Sequence, residues 1–413
     1  MICDAVRSGP RLFQKRRVDI AALILCAVVL VGSGLMYLRE TEYQYVDFQV
    51  HMLIAADFDF TDLHSITSRL AYPLWHLIVA CLYQLGMPIA WAASLVSAVC
   101  KATTYLMVYF LVTTISGDRV RRPWVALLSF ALVILTGLRI TAVTPNVYKG
   151  VGSPNVWHNP TQQIVTLAML FVMPWLAHCW YEFQNAMESG ISGYTLPWWK
   201  VLVLGVLLMG SLACKPTFMQ ALLPAAFAMF LVELIRRKSE WRYFGQIVLA
   251  FLPSVAYFLL QYLYYTGVVV EYTSGVEIGI TGESAWLAIR NTLMMSACPL
   301  AALIACRRKG LLKDRMLVLA LLMTAFSVLE AMTFRETGLR EGHGNFTWAA
   351  NSSSFFLWVV MAGIALRCLK EDWEAGWTKI HTARAAVVGV LFGWHVFSGI
   401  YYLCYLFASK NAF

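Results

Sequence analysis

The chain of 413 residues is 60% hydrophobic and 13% charged, with a formal net charge of +9. Soluble domains contain about 25% charged residues, so a water-soluble core would leave much of this apolar surface exposed. The composition excludes a soluble globular protein. It predicts an all-α polytopic membrane protein that forms a single transmembrane domain over residues 1–413, with no soluble domain.

The cysteines and the basic residues exclude two further classes. Ten cysteines are scattered one at a time without a C-x-x-C pair, which fits neither a disulfide framework nor a zinc site. The positive charge lies in short loops between apolar segments, an arrangement that gives no support for nucleic-acid binding.

Eleven apolar windows are long enough to cross a bilayer, which takes about 20 helical residues. In chain order they lie near Val18–Leu38, Ile89–Ile115, Pro123–Ile140, Thr161–Tyr181, Trp198–Ala213, Thr217–Ile235, Tyr243–Tyr265, Ser284–Cys306, Asp314–Phe334, Trp348–Leu369 and Ala383–Phe407. Basic residues precede the first window and no small-residue cleavage site follows it, so we predict a retained first span. Residues 39–88 form the first outer loop, which we expect to carry juxtamembrane helices.

The segment Tyr72–Gly86 is apolar but only 15 residues long. If it enters the outer leaflet without crossing, 22 of the 32 lysines and arginines fall on the inner side and nine on the outer side. A full crossing would instead place the basic clusters outside, whereas short cytoplasmic loops normally collect them. We therefore predict a half-inserted segment, a cytoplasmic N-terminus and an outer C-terminus in a bacterial plasma membrane, with the basic face next to anionic membrane lipids.

The first outer loop contains an acidic stretch that begins Y-V-D-F-Q-V-H. If Gln44–Ala56 is helical, Asp47 and His51 lie on one side of the helix and Val50 on another. This describes an amphipathic helix at the membrane surface that shows an acid and an imidazole to water. A solvated loop whose charges only keep it out of lipid is the alternative, and the sequence leaves both open.

The second outer loop, Thr141–Pro160, contains no acid but offers Asn155, Trp157, His158 and Asn159. Amides beside aromatic rings suit a carbohydrate ligand, because they supply paired hydrogen bonds and a flat apolar platform. Glycine, proline and asparagine also form simple turns, so a structural role for this loop stays open.

Cations at the outer ends of the spans are candidates for binding a lipid phosphate. Lys215 precedes a proline at the end of a span, where it either lines a cavity or extends to the interface. Arg335, Arg340 and His343 share one later loop with two glutamates. Two guanidinium groups there can hold a phosphate in a bidentate way, or they can pair with acidic neighbours.

Four features in chain order resemble the integral-membrane glycosyltransferases of the GT-C fold superfamily, which use polyprenyl-phosphate sugars. The first is an inner N-terminus and one span before an outer loop with Y-V-D-F-Q-V-H. The second is the juxtamembrane segment Y-P-L-W-H, and the third is a basic inner turn at Arg119–Pro123. The fourth is L-A-C-K-P-T-F-M-Q-A-L-L-P from Leu212 to Pro224, similar to a lysine-bearing outer turn of that superfamily. The resemblance covers roughly the first 240 residues.

The resemblance implies a hexosyl- or pentosyltransferase that moves a sugar from a polyprenyl-phosphate-linked donor to a glycan, lipid or protein acceptor of the cell envelope. Its catalytic carboxylate lies in the first outer loop, where Asp47 is the matching position, as general base or electrostatic partner of the acceptor. His51, one turn on, is expected to orient the acceptor or that carboxylate. The chain departs from the pattern at Phe48, where a second acid is common, and in Thr141–Pro160, which lacks one.

No cofactor is expected, although Asp57, Asp59 and Asp62 offer oxygens to a divalent cation; a surface acidic run is the commoner meaning. Two other functions stay open. Lys101 and Glu330 lie inside predicted spans and fit a transporter or flippase of lipid-linked saccharides. A catalytically inactive relative that serves in assembly is the other alternative.

Overall fold

The computed structural model describes residues 19–42, 47–62, 72–117, 120–143, 152–267, 275–307, 310–338 and 345–408. These ranges contain thirteen α-helices and one two-stranded antiparallel ribbon. The helices are α1 Ile20–Glu40, α2 Asp47–Ala56, α3 Leu74–Gln84, α4 Ile89–Ser116, α5 Arg122–Ile134, α6 Pro160–Glu188, α7 Trp198–Cys214, α8 Thr217–Arg236, α9 Trp241–Gly267, α10 Gly282–Ala305, α11 Arg315–Thr333, α12 Trp348–Ala375 and α13 Lys379–Ala408; the strands are β1 Val276–Ile278 and β2 Phe334–Glu336. The predicted all-α polytopic membrane class is confirmed.

Nine helices in the described part of the chain are long and apolar enough to cross a membrane: α1, α4, α6 and α8 to α13. They match nine of the eleven predicted spans. The other two predictions, Pro123–Ile140 and Trp198–Ala213, correspond to shorter helices of 13 and 17 residues. At about 1.5 Å per residue these cover roughly 20 and 25 Å, less than the hydrocarbon thickness of about 30 Å.

The bundle is built around α12. Every residue from Ala349 to Met361 is buried, and the helix contacts α4, α6, α8, α10 and α11. Three consecutive serines of α12 meet polar groups of neighbouring helices: Ser352 accepts from Gln162 of α6 at 2.7 Å, Ser353 bonds Ser327 of α11 at 2.7 Å, and Ser354 accepts from Ser296 of α10 at 3.1 Å. Such bonds between membrane helices stabilise their packing by about 0.6–2 kcal/mol each.

The two ends of the bundle differ in charge. At one end, the buried Glu233 of α8 forms an ion pair with Arg315 of α11 and lies 3.7 Å from both Arg236 and Arg237. The start of α13 lies at the same end. Arg384, near the start of α13, lines one cavity with Cys306, the residue that follows the end of α10. We call this the basic end. The helices α8 and α12 begin at the opposite end.

The predicted span Pro123–Ile140 is a helix followed by extended chain. α5 ends at Ile134, and residues 135–138 continue as buried, non-helical backbone. The side chain of Asn155 donates from Nδ2 to the carbonyls of Leu132 at 2.6 Å and Leu135 at 3.0 Å. These are carbonyls that a helix end leaves without an intrahelical partner. Asn155 therefore serves as the cap of a helix that stops inside the bundle.

The extended segment is held on its other side by α10 and α13. Thr136 bonds His395 of α13 through its carbonyl, 2.6 Å from Nδ1, and the amide of Leu138 donates to the Met294 carbonyl of α10 at 2.9 Å. Irregular backbone is tolerated at membrane depth only where protein satisfies its polar groups. The backbone hydrogen bonds of Thr136 and Leu138 are thus supplied by α13 and α10.

α13 approaches the end of α5 so closely that a glycine is required. A Cβ atom built on Gly399 would lie 2.1 Å from the carbonyl oxygen of Ile134, whereas one built on Gly393 meets no atom within 4 Å. Both glycines lie on the same helix. Gly399 is therefore the point at which α13 is fixed against α5.

We predict that Gly399→Ala lowers the free energy of unfolding by about 1–3 kcal/mol or more, because overpacking forces the backbones of α5 and α13 apart. Thermal unfolding of the purified protein in detergent measures the effect. The matched variant Gly393→Ala should be neutral or more stable by up to about 1 kcal/mol, since alanine favours a helix over glycine. Equal unfolding temperatures for the two variants would contradict the proposed contact.

Candidate functional site

Helix α2 holds Asp47 at the end of the bundle opposite the basic end. Phe48, Met52 and Ala55 of α2 are buried, while Val50 and Leu53 are about half exposed. The apolar exposed face fits a helix at the edge of the membrane, one of the two interpretations that the sequence left open for Gln44–Ala56; His51, however, faces α3 rather than water, and residues 43–46 lie outside the described ranges. Asp47 is the first residue of α2, where a carboxylate is stabilised by the helix dipole.

Asn159 connects Asp47 to a buried lysine. Its Nδ2 donates to Oδ2 of Asp47 at 2.9 Å, and its Oδ1 lies 3.5 Å from the ammonium of Lys215. The same Oδ1 accepts from the backbone of Gln162 at 3.0 Å and from the hydroxyl of Thr161 at 2.8 Å, so Asn159 is also the N-cap of α6. The turn role that the sequence left open is thus confirmed for Asn159, while its role in ligand binding stays a prediction.

Lys215 is 5% exposed and lies in the turn between α7 and α8. Its ammonium is 4.5 Å from the ring centre of Trp348, the first residue of α12. Burial lowers the pKa of Lys215 to about 8, and Asp47 acts in the opposite direction. An ammonium has three donors, and Asn159 occupies one of them with a long bond. The charge is thus poorly compensated, which suits the arrival of an anion.

His158 lies between Asp47 and α13. Its Nε2 is 3.8 Å from Oδ2 of Asp47, its Nδ1 is 3.4 Å from the hydroxyl of Tyr402, and its ring packs against Trp348. Burial is the main cause that lowers the pKa of His158, Asp47 partly opposes it, and Lys215 adds to the lowering. The imidazole is therefore neutral at pH 7. We call Asp47, His158, Asn159, Lys215 and Trp348 the Asp47 cluster.

The exposure of these residues decides which of them a solute reaches first. The side chain of Asp47 is 47% exposed and that of His158 is 5% exposed. The carboxylate thus forms the outer surface of the cluster, while His158 and Lys215 lie beneath it.

His51 faces another histidine rather than the Asp47 carboxylate. Its Nδ1 is 2.9 Å from Nε2 of His76 on α3, and its ring packs edge-on against Trp75. Burial, followed by the nearby His76, lowers the pKa of His51, so the ring is uncharged at pH 7. The predicted role of His51 in orienting the acceptor or Asp47 stays a prediction; its described contacts join α2 to α3.

Two other predicted binding residues lie deeper in the bundle. Asn155 caps α5 and accepts from the ammonium of Lys101 at 3.1 Å. Trp157 is 4% exposed, and its ring lies 4.2 Å from the same ammonium. The described contacts of both residues are with Lys101 and the end of α5, and their predicted role in binding a sugar stays a prediction.

The later loop is brought to the same end only in part. Arg335 of β2 forms a bidentate pair with Glu277 of β1, with bonds of 2.9 and 2.8 Å, and half of its side chain is exposed. Its donors are thus engaged across the ribbon, by a glutamate that is distant in sequence. Arg340 and His343 lie outside the described residues.

Three residues of the site carried no signal in the sequence. Trp348 begins a predicted span, Gln162 lies inside another, and Tyr402 lies near the end of the last. Gln162 bonds Ser352, accepts from Thr217 at 3.1 Å, and thereby ties α6 to α8 and α12 beside Lys215. Only the packing of distant helices brings these side chains to the cluster. Among the described residues, no three histidine, cysteine or acidic side chains are grouped as a metal site would need.

No protein-family model matches the chain, and no curated protein is detectably similar to it. A function therefore has to be inferred from the residues of this chain and their contacts.

We predict that the protein loses stability as the pH falls from 7.5 to 5. The unfolded chain binds protons at its histidines with an ordinary pKa of about 6.5, whereas His51 and His158 resist protonation in the folded state. Below about pH 6.5 the unfolded state thus holds more protons, and the free energy of unfolding falls by up to about 1.4 kcal/mol per pH unit for each histidine. Thermal unfolding in detergent at several pH values measures the slope.

The double variant His51→Gln/His158→Gln should show a shallower slope than the wild type over the same range. His381→Gln, at the basic end, should keep the full slope. An unchanged slope in the double variant would show that other groups cause the acid sensitivity.

Proposed function

We propose that the protein is a membrane glycosyltransferase that moves a sugar from a polyprenyl-phosphate donor to an acceptor hydroxyl at the membrane surface. One observation carries the proposal: the exposed carboxylate of Asp47 and the buried ammonium of Lys215 are joined through the two ends of the Asn159 amide. A carboxylate and a cation held a few ångströms apart are what this transfer uses, one for the nucleophile and one for the leaving phosphate.

The proposed reaction forms one bond and breaks another at the anomeric carbon of the sugar. The acceptor oxygen attacks this carbon while its bond to the phosphate oxygen breaks, and the electron pair of that bond stays on the phosphate. The hydroxyl proton passes to Asp47, which acts as general base. Because Asp47 is the most exposed member of the cluster, the proton can later leave to water without a buried relay.

Lys215 is proposed to stabilise the leaving phosphate. A preorganised cation in a site of low polarity acts on developing negative charge more strongly than it would in water. The ring of Trp348 and the amide of Asn159 fix the direction of the ammonium and leave two of its donors for phosphate oxygens. Arg335 would have to release Glu277 before it could contribute.

His158 and Asn159 are proposed to keep the two charges apart and oriented. If Tyr402 donates its hydroxyl proton to Nδ1, the remaining ring proton of His158 is on Nε2 and points towards Asp47. A neutral imidazole in this tautomer supports the carboxylate as an anion without neutralising it through proton transfer.

We predict that Asp47→Asn reduces sugar transfer by about 10²–10⁴-fold, the usual contribution of a positioned general base. The asparagine oxygen can still accept from Asn159, so the fold is retained while the basic group is lost. The measurement is transfer from a panel of polyprenyl-phosphate sugars to membrane acceptors by purified protein, with thermal unfolding checked in parallel.

Asp62→Asn is the matched control, because Asp62 is exposed on the same outer loop beyond the end of α2 and should leave transfer unchanged. Full activity in a well-folded Asp47→Asn protein would remove the catalytic assignment. A wild-type protein without any transfer across the panel would favour the second candidate, a transporter or an inactive assembly protein.

The transporter alternative has its own supporting observation. Glu330 of α11 is nearly buried in a span, and its Oε2 has no hydrogen-bond partner among the described residues. The interrupted span of α5 is also a feature of many transporters, where helix ends inside the membrane bind ions or substrates. At the end of α5, however, the carbonyls of Leu132 and Leu135 accept from Asn155 and are not left for an ion or a substrate.

We further propose that the basic end faces the cytoplasm of a bacterial plasma membrane and that the Asp47 cluster faces outward, since short cytoplasmic loops collect lysine and arginine. In a background without the exposed Cys81 and Cys404, Asp62→Cys should react with an impermeant thiol reagent in intact cells. Ser239→Cys, exposed between α8 and α9, should react only after the membrane is permeabilised.

The opposite labelling pattern would contradict the proposed topology and would indicate that the Asp47 cluster faces the cytoplasm. Gly152 is a poor labelling position, because its φ is +81° and a Cβ there would lie 2.9 Å from Asn351.

A further inference from the structure

A groove at the basic end separates the first half of α13 from the bundle. The buried residues of α13 all lie in its second half, from His395 to Leu406, and residues 379–394 include none. The helix is fixed where Gly399 meets α5, whereas its first half contacts the bundle only through partly buried residues such as Val388 and Phe392. The gap encloses a cavity of about 210 Å³.

The walls of the groove are apolar and its mouth is charged. Small side chains keep it open, including Ala302 of α10 and Ala362 and Ala365 of α12, while Trp358 and Phe392 close its inner end. The mouth carries three polar residues: Asp372, His381 and Arg384. From Arg384 to Phe392 the helix rises by about 12 Å, so the cavity runs from the membrane boundary into the hydrocarbon region.

Among the described residues at the mouth, Arg384 is the group without a hydrogen-bond or ion-pair partner. Nε2 of His381 lies 3.8 Å from the carboxylate of Asp372, so this acid already faces a donor on α13. The guanidinium of Arg384 is exposed and forms no hydrogen bond or ion pair with the described residues. A planar guanidinium with free donors at the membrane boundary binds phosphate oxygens in a bidentate way.

From these observations we infer that the groove binds one anionic glycerophospholipid, with its phosphate on Arg384 and one acyl chain between α10, α12 and α13. At the mouth, Asp372 faces His381 and the guanidinium of Arg384 is left for a phosphate, while the apolar walls take a flexible chain. The occupant fills the gap between this half of α13 and the bundle, beside the direct contacts of Val388 with Cys298 and of Phe392 with Trp358.

This site is distinct from the one proposed for the sugar donor. Helix α12 begins at Trp348 in the Asp47 cluster and ends near the mouth of the groove, so its 28 residues put about 40 Å between the two. A lipid phosphate at Asp47 and one at Arg384 would therefore lie at opposite faces of the membrane. The inference consequently holds whether or not the protein transfers a sugar.

Native mass spectrometry of the delipidated full chain, titrated with dioleoyl phosphatidylglycerol, tests the inference. The wild type should retain one lipid and bind it at least tenfold more tightly than dioleoylglycerol, which has the same acyl chains but no phosphate, as expected for one charge-assisted contact. Arg384→Gln should weaken phosphatidylglycerol binding about tenfold. Arg242→Gln, an exposed arginine at the same end on α9, should leave it unchanged.

A second pair of variants tests the acyl-chain site without changing charge. Gly389 lines the groove and a Cβ there meets no atom within 4 Å, so Gly389→Leu should fill the cavity and weaken retention at least tenfold. Gly245→Leu on α9, where a Cβ also has open space, is its control.

Three results would overturn the inference. One is wild-type retention of phosphatidylglycerol by both Arg384→Gln and Gly389→Leu. Another is equal affinity for phosphatidylglycerol and dioleoylglycerol. The third is Arg384-dependent displacement of phosphatidylglycerol by a lower concentration of polyprenyl phosphate, which would assign the groove to the sugar carrier.

Discussion

The side-chain amide of Asn159 is the contact on which the outer end of the molecule depends. An amide has an acceptor and a donor on one planar group, and here the acceptor faces Lys215 while the donor faces Asp47. The same acceptor begins α6, a helix that Gln162 fastens to α8 and α12. The positions of the two charges are therefore set by the start of a buried helix rather than by a flexible loop. Charges held in this way before a ligand binds meet the condition for the electrostatic catalysis proposed above.

The fold class and much of the candidate site were accessible from the sequence, for identifiable reasons. Nine spans are continuous apolar runs, which is a local property of the chain. Asp47, His158, Asn159 and Lys215 are polar residues at the boundaries of such runs, and they lie together at one end of the bundle. Trp348 could not be selected in the same way, because an aromatic residue at the start of a span is common in any membrane protein.

The interrupted span shows a feature that the hydrophobic pattern of the sequence does not predict. Pro123–Ile140 is apolar throughout, and nothing in its composition marks Ile134 as the end of a helix. The helix stops because Asn155, His395 and Met294 offer bonds to the backbone from three separate parts of the chain. Arg335 gives a second example, since the sequence offered a lipid phosphate or a neighbouring glutamate as its partner and the observed partner is Glu277 of the other strand. In both cases the decisive partner is remote in sequence.

The remote partners of this span have a consequence for the order in which the protein matures. During synthesis, α5 and the extended backbone after it are made long before α13, because Thr136 and its partner His395 are 259 residues apart. Until α13 arrives, Thr136 and the neighbouring backbone lack the bonds that make an unwound segment tolerable in lipid. The nascent chain must therefore hold this region as a longer helix, or in the aqueous environment of the insertion machinery, and rearrange it at the end of synthesis. Packing of the last helix, α13, thus completes the folding of the first half of the bundle.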